Sequence, residues 1–546
     1  MQELSTYQFL KLLKQHSVQV RAKDGRLQII APTGALDAQL RAELARRKGD
    51  LLATFLDNEV ASPTPALIRV DRTSKIPLTY AQQGMWLVDH LNPGNATYNI
   101  PEAFVLQETA DQRVLQKAVD ELLDRHETLR TTFYEEDGEL FQRISSKART
   151  AVDFTDLSSL PEHDRDRTLY KLIRQEARKP FNLQQAPLVR FHLFRLAAQK
   201  DVIFINIHHI ISDRRSLIIL REELPILYQA AARNAVASLA PLPIQYADYA
   251  VWATKQLASE AIEKQTRYWM GQLANLPASL ELPSGRPYPK QRMPWGATTP
   301  IVITESLRGT LNTIGQEEGA SIFMTLLTAF AALLYRQTGC LDFCIGSPFT
   351  HRKLVETEPI IGLFVNMLVL RCKIEEGDSF RALLRRTRNT ALEAYENSDV
   401  PFQQLVRALK VDTRSQRSPL FQIMFGFDND IPTSRDESGS LQINTNPGTA
   451  RYDLTLQLGN TVDGIVGEFE YCTDLFDKPS ILLMSQQFSE LLNEVAQQPD
   501  APLPKKDAPS GIGPAQTVAH AMASPNKPNG LVNKVTQWLS LPRGKN

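Results

Sequence analysis

The run Ile203-Phe204-Ile205-Asn206-Ile207-His208-His209-Ile210-Ile211-Ser212-Asp213-Arg214 constrains this chain more than any other segment. A β-branched, apolar strand delivers two adjacent histidines to its end, and a carboxylate follows four residues after the second. Successive strand side chains point to opposite faces. The pattern therefore predicts one imidazole facing a cavity and the other held in the core. An imidazole has an unperturbed pKa of about 6.5, which makes it the usual proton-transfer group near neutral pH.

The chain has 546 residues, too many for one core, since single cores stop growing near ~250–300 residues. Residues 1–57 read as a separate small unit. Ser5 or Thr6 caps a helix carrying Phe9, Leu10, Leu12 and Leu13. A hairpin follows, with Val18–Arg21 and Leu27–Ile30 around the turn Lys23-Asp24-Gly25-Arg26. The charged amphipathic stretch Leu36 to Phe55 supplies one or two further helices, in the order αββαα. So small a core is marginal alone, and its hairpin edge is a place for another chain to add. Residues 58–74, with Pro63 and Pro65, are expected to be a linker. From Ile76 to about Gln498 the sequence alternates apolar strands with amphipathic helices, as in Val202–Ile207, Ile322–Leu334 and Val365–Leu370. This predicts a mixed α/β body in two halves, 75–255 and 256–498. Residues 499–546 are rich in proline and read as a flexible tail. Within it Leu531–Leu539 has helical apolar spacing, and its role as a partner helix or an idle remnant stays open.

Charge narrows the classes of partner. The 61 Lys and Arg are balanced by 61 Asp and Glu, so no global field draws nucleic acid or an anionic membrane. No apolar run approaches the ~20 residues that span a bilayer. Met1-Gln2-Glu3-Leu4-Ser5 lacks a signal-peptide pattern, so the expected location is cytoplasmic. Cys340, Cys344, Cys372 and Cys472 have no zinc spacing and are expected to be reduced thiols, with no metal site.

The body resembles the condensation domains of non-ribosomal peptide synthetases, through many segments in the family's order. These are Ser74–Trp86, Arg125-His126-Glu127-Thr128-Leu129-Arg130-Thr131-Thr132-Phe133, His208-His209-Ile-Ile-Ser-Asp213, Tyr246–Trp252, Ile345–Arg352, Ile361–Met367, Val400-Pro401-Phe402 and Ser418–Gln422. The resemblance implies two chloramphenicol-acetyltransferase-like lobes in a V, with a tunnel between them. Residues 1–57 resemble TubC-type N-terminal docking domains, through Ala31–Leu36, Leu40–Leu44 and Lys48–Leu52.

The implied chemistry is attack of an acceptor amine on a donor acyl or peptidyl thioester. Each is carried on the phosphopantetheine of a partner carrier domain, and the chain itself binds no cofactor. The donor carrier would belong to an upstream synthetase protein that docks through residues 1–57. By resemblance His209 orients the amine or takes its proton. His208 sits beside it, and Asp213 forms an internal salt bridge for which Arg352 is the expected partner. Ser212, Arg214 and Asn366 are expected to line the tunnel. For Asn366, capping backbone groups stands as the equal alternative. The family has glycine after the motif aspartate where this chain has Arg214, which either holds a cation near His209 and the amine or obstructs the acceptor side. Three readings follow. They are an amide-forming condensation enzyme, the same fold acting on a hydroxyl or free amine, and a silent domain that recruits other proteins. Tyr80, Gln82, Trp86 and Arg125 to Phe133 are read as packing elements.

Overall fold

The computed structural model describes residues 67–503 except for short segments at 107–108, 258, 278, 285, 291, 353, 412–416, 429–440 and 444. It also describes the hairpin strands at 19–23 and 26–30 and a few positions between 43 and 51. The predicted hairpin is present, with Gln19–Lys23 antiparallel to Arg26–Ile30. The first helix of the small unit and the tail segment 531–539 lie outside the described residues.

The N-terminal half is built on a five-stranded sheet. Its order is Leu441–Ile443, Asn99–Leu106, Lys200–His208, Val189–Ala197 and Val152–Asp156. The histidine strand lies in the middle, antiparallel to both neighbours. Ile203, Ile205 and Ile207 enter one core cluster, while Val202 and Phe204 enter another. Both faces are covered, which is why this strand reads as a continuous apolar run. A small sheet of Ile76–Pro77, Glu139–Ile144 and Thr131–Glu136 lies beside it in the same half.

The C-terminal half carries a mixed six-stranded sheet. Its order is Gly296–Thr304, Gly464–Cys472, Leu454–Thr461, Ile423–Asp428, Asp342–Thr350 and Val365–Lys373. The helices Ile322–Thr338, Phe380–Glu396 and Lys478–Gln497 pack into its core. Ser321 caps the first of these and Gly339 ends it in the left-handed conformation, at φ 70°. These are the usual start and stop signals of a helix.

Three boundaries differ from the sequence reading. Strand Leu441–Ile443 belongs by sequence to the second half but completes the sheet of the first, antiparallel to Asn99–Leu106. The linker expected over 58–74 ends earlier. Arg69 donates to the carbonyls of Leu242 and Pro243 at 2.7 and 3.1 Å, and Arg72 pairs with the buried Asp248 at 2.6 Å and with Glu127 at 2.7 Å. The packed body also runs past 499, where the tail is expected to begin. Leu503 is buried and donates its N–H to Asp378, and Pro502 bridges to Ser379.

The halves meet through the segment Ile360–Phe364. Thr128 Oγ1 donates to the Ile361 carbonyl at 2.9 Å, and Tyr246 OH donates to the Leu363 carbonyl at 2.7 Å. A Cβ on Gly362 would fall 2.0 Å from the Tyr246 ring. Only glycine lets the segment come this close.

Candidate active site

The histidine strand ends at His208, and His209 opens a short 3₁₀ turn, His209–Ile211. The two rings diverge because the chain turns there, and not by strand alternation as the sequence predicts. His208 is buried, and its Nδ1 accepts the Ile210 N–H at 3.1 Å, capping the turn. That fixes its proton on Nε2 when neutral. His209 does the reverse. Its Nδ1 donates to the Ser212 carbonyl at 2.7 Å, so the neutral ring keeps a lone pair on Nε2. His209 is partly exposed. No described residue bonds Nε2, and that atom is not among the buried polar atoms lacking a partner. Gln82, fully buried, donates to the Ile210 carbonyl at 3.1 Å and holds the turn from beneath.

Asp213 caps the helix Arg214–Ala232 by accepting from Ser216 N–H at 2.8 Å. Arg352, from the other half, places Nη2 2.9 Å and Nε 3.3 Å from the same carboxylate. Both side chains are nearly inaccessible, at 3% and 2% exposure. Further bonds complete the set. The Phe364 N–H donates to Asp213 Oδ2 at 3.2 Å, and the Ser216 hydroxyl donates to Oδ1 at 2.7 Å while accepting the Gly362 N–H at 3.0 Å. Arg352 also donates to the carbonyls of Thr357 and Ile360 and stacks 4.1 Å over Phe364.

A second cation stands beside the histidines. Arg451 Nε donates to the Thr97 carbonyl at 3.2 Å, with its guanidinium 5.1 Å above the Tyr98 ring. The Tyr98 carbonyl accepts the His209 N–H at 2.8 Å, and the Tyr98 ring lies 6.3 and 6.5 Å from the rings of His208 and His209. Burial, then the Arg451 charge, pushes His209 down to about 4. Burial, then His209 and Arg451, pushes His208 down to about 3. Both rings are therefore neutral at physiological pH.

Residues 72–511 match the Condensation domain family and residues 7–57 the TubC N-terminal docking domain family. The chain belongs to the condensation-domain family. It is 40% identical over 439 residues to a linear gramicidin synthase of Brevibacillus parabrevis, covering 80% of this chain and 8% of that relative. It is 35% identical over 488 residues to phosphinothricin tripeptide synthetase PhsB of Streptomyces viridochromogenes, covering 88% of this chain and 40% of that one. The chain thus spans well under half the length of these relatives. Two solved structures share the fold. The X-domain from teicoplanin biosynthesis has a TM-score of 0.74 at 24% identity, over 81% of this chain and 100% of that one. The first condensation domain of the calcium-dependent antibiotic synthetase, in complex with a substrate analogue, has a TM-score of 0.68 at 20% identity, over 79% of this chain and 98% of that one. Condensation domains are acyltransferases that form amide bonds.

Within this condensation domain the residues expected at the site divide into groups. His209 keeps an unbonded ring lone pair, on Nε2. His208 serves as a cap. Ser212 is fully buried; it acts through its carbonyl, and its hydroxyl donates to the His208 carbonyl at 3.3 Å. Asn366 spends both amide hydrogens on the carbonyls of Ser398 and Val400, at 3.0 and 2.7 Å, and accepts the Phe402 N–H at 3.0 Å. That satisfies its donors internally and gives it the backbone-capping role rather than a substrate contact. Arg214 points to Glu102 at 3.1 Å and to Asp428 at 4.0 Å. The cation beside His209 is Arg451, which the sequence reading missed; no local pattern ties it to a histidine strand so distant in the chain.

Two outcomes follow for the condensation domain. Asp213→Ala and Arg352→Ala should each lower unfolding free energy by about 3–5 kcal/mol, since each strands a buried charge. Urea titration of the double variant should show a loss smaller than the sum of the two. In an NMR titration of ring protons, His209 should protonate near 4 in the parent protein. Arg451→Met removes a nearby cation, so the His209 midpoint should rise toward the ordinary ~6.5. An unmoved midpoint would exclude Arg451 as the tuning charge.

Proposed function

We propose that this chain joins a donor acyl or peptidyl group, held as a thioester on the phosphopantetheine of a carrier domain, to an acceptor amine. The observation that carries this reading is the tautomer of His209. Its Nδ1–H is committed to Ser212, and its Nε2 lone pair faces accessible space. The amine nitrogen attacks the thioester carbon, the C–N bond forms and the C–S bond breaks. The proton lost from nitrogen passes through Nε2 to the departing thiolate.

The low basicity of His209 limits what it does. A ring protonating near 4 does not strip an α-ammonium group of pKa ~8. The acceptor therefore arrives as a neutral amine, and Nε2 accepts a hydrogen bond from it and aims it at the carbonyl carbon. Proton transfer follows as the tetrahedral intermediate forms and its nitrogen becomes acidic. Holding two tethered reactants in one cleft supplies much of the remaining acceleration. Residues 1–57 receive the upstream synthetase protein that brings the donor, consistent with their docking-domain match and with the hairpin Gln19–Lys23/Arg26–Ile30.

A second reading, a catalytically silent recruitment domain, draws on one likeness. The X-domain of teicoplanin biosynthesis, solved in complex with OxyB, has the same fold. One assay separates the readings. Donor-loaded and acceptor-loaded carriers are mixed with the protein, and product is followed by mass in a single turnover. His209→Ala should slow amide formation roughly 10²–10⁴-fold. Hydrolysis alone, unchanged in the variant, would establish the recruitment reading. In the same assay a chain lacking residues 1–57 should turn over slowly at limiting donor carrier and recover at excess. Equal rates at both concentrations would overturn the docking role.

A further inference from the structure

The helix Glu162–Ala177 ends against the base of the histidine strand. Asn99, the register partner of His208, donates from Nδ2 to the carbonyls of Ala177 and Lys179 at 2.8 and 2.9 Å. Asn206 Nδ2 donates to the Glu176 carbonyl at 2.9 Å. This helix end is thereby fixed beside the histidines. It carries two arginines, Arg174 in the last turn and Arg178 as the C-cap.

Both guanidinium groups converge on one point. Arg178 Nε donates to the Pro447 carbonyl at 2.7 Å. A Cβ on Gly448 would lie 2.7 Å from Arg174 Nη2 and 2.7 Å from Arg178 Nη2. The two nitrogens therefore lie within twice that distance of each other. Gly448 has φ +75°, and any side chain there would occupy the space between the two cations. Among the described residues neither arginine pairs with a carboxylate, and Arg174 is exposed with no hydrogen bond. Arg178 is held 4.9 Å over the exposed Trp295 ring. Burial, and then the Arg174 charge, draws Arg178 below the ordinary guanidinium value. The negative end of a helix accounts for cations in its last turn. It does not account for two terminal nitrogens converging on one point, with no carboxylate between them among the described residues. Planar guanidinium forks arranged this way match a phosphate.

The loop that carries Gly448 continues to Arg451 in three residues, at most about 11 Å of extended chain. It thus runs from the arginine pair to the cation beside His209. We infer that Arg174 and Arg178, with the space kept open by Gly448, form a phosphate subsite at the rim of the histidine cleft that takes the phosphodiester of a carrier's phosphopantetheine arm. This rests on the reading under Proposed function and adds to it where the arm is gripped.

The test uses the full chain and two probes, 4′-phosphopantetheine and pantetheine, in calorimetry. The parent protein should bind the phosphorylated probe about tenfold more tightly, the worth of a charge-assisted contact. R174Q/R178Q should bind both probes alike, with circular dichroism confirming its fold. R174Q alone, at an exposed and unbonded position, should lose part of the preference and keeps the test valid if the double variant is unstable. Equal binding of both probes by the parent protein overturns the inference. Condensation is then run with a phosphopantetheinyl donor and a soluble thioester acceptor lacking phosphate, and with the two exchanged. KM should rise about tenfold in R174Q/R178Q for one of the phosphorylated substrates, which identifies the donor or the acceptor arm. Unchanged KM for both, with normal parental turnover, overturns the subsite alone. Phosphate-dependent binding without any condensation by the parent overturns the enzyme reading and leaves the subsite standing.

Discussion

Arg352 and Asp213 meet where the two halves of the chain touch, and neither side chain retains more than a few per cent of its surface. Withdrawing two charges from water costs several kcal/mol per ion, so such a pair persists only with good geometry and with its remaining donors and acceptors satisfied. Here the satisfaction is close to complete. The carboxylate takes bonds from Arg352, from Ser216 and from the Phe364 N–H, and the guanidinium also serves the Thr357 and Ile360 carbonyls. The consequence is positional. One carboxylate starts the helix Arg214–Ala232 and holds the Ile360–Phe364 segment of the other half, one residue after Ser212 closes the turn that carries His209. Asp213 does not touch the His209 ring; it sets the backbone from which that ring projects. Its bonds go to a helix start, to Arg352 and to the Phe364 N–H, and none goes to an imidazole.

Two identical side chains adjacent in sequence end with opposite protonation patterns because each is given a different backbone partner. His208 accepts from Ile210 N–H, whereas His209 donates to the Ser212 carbonyl. The same short turn therefore bonds one ring as an acceptor and the other as a donor, and leaves the second with a lone pair on Nε2. Desolvation and the Arg451 charge then keep both rings uncharged. A charged imidazole would have no lone pair to offer an amine, and it would repel a cationic acceptor. The fold thus keeps an uncharged ring with a lone pair at His209 Nε2.

Much of this is legible in the sequence, and the remainder is hidden for identifiable reasons. The histidine strand can be placed within two residues of its observed ends, because a strand buried on both faces is a contiguous apolar run. The helix from Ile322 follows from its amphipathic pattern. The Asp213–Arg352 contact is anticipated from the family resemblance, which gives the aspartate a salt bridge and sets the motif of Arg352 on the facing lobe. Arg451 is not, because its neighbours in space, Thr97 and Tyr98, come from the opposite end of the body. Ser212 is expected to line the site with its side chain, but it offers a carbonyl, and a backbone role leaves no trace in side-chain identity. The strand Leu441–Ile443 is three residues long and pairs across the halves. No pattern of that length specifies a partner.

Arg214 shows how a departure from a family's pattern is absorbed. Glycine at such a position permits left-handed backbone or a close approach, yet here the residue is the first of an α-helix, where any side chain is tolerated. The arginine side chain leaves the histidines and reaches Glu102 on one half and Asp428 on the strand Ile423–Asp428 of the other. Burial raises the pKa of both carboxyls while the Arg214 charge lowers it, so each acid gains from the cation's presence. The Asp428 contact, at 4.0 Å and partly exposed, is the weaker of the two. The arginine therefore adds a charge contact between the halves and takes no part in the tautomer, the cap or the Asp213–Arg352 pair. The bond that sets the His209 tautomer and the charge beside it come from Ser212 and Arg451.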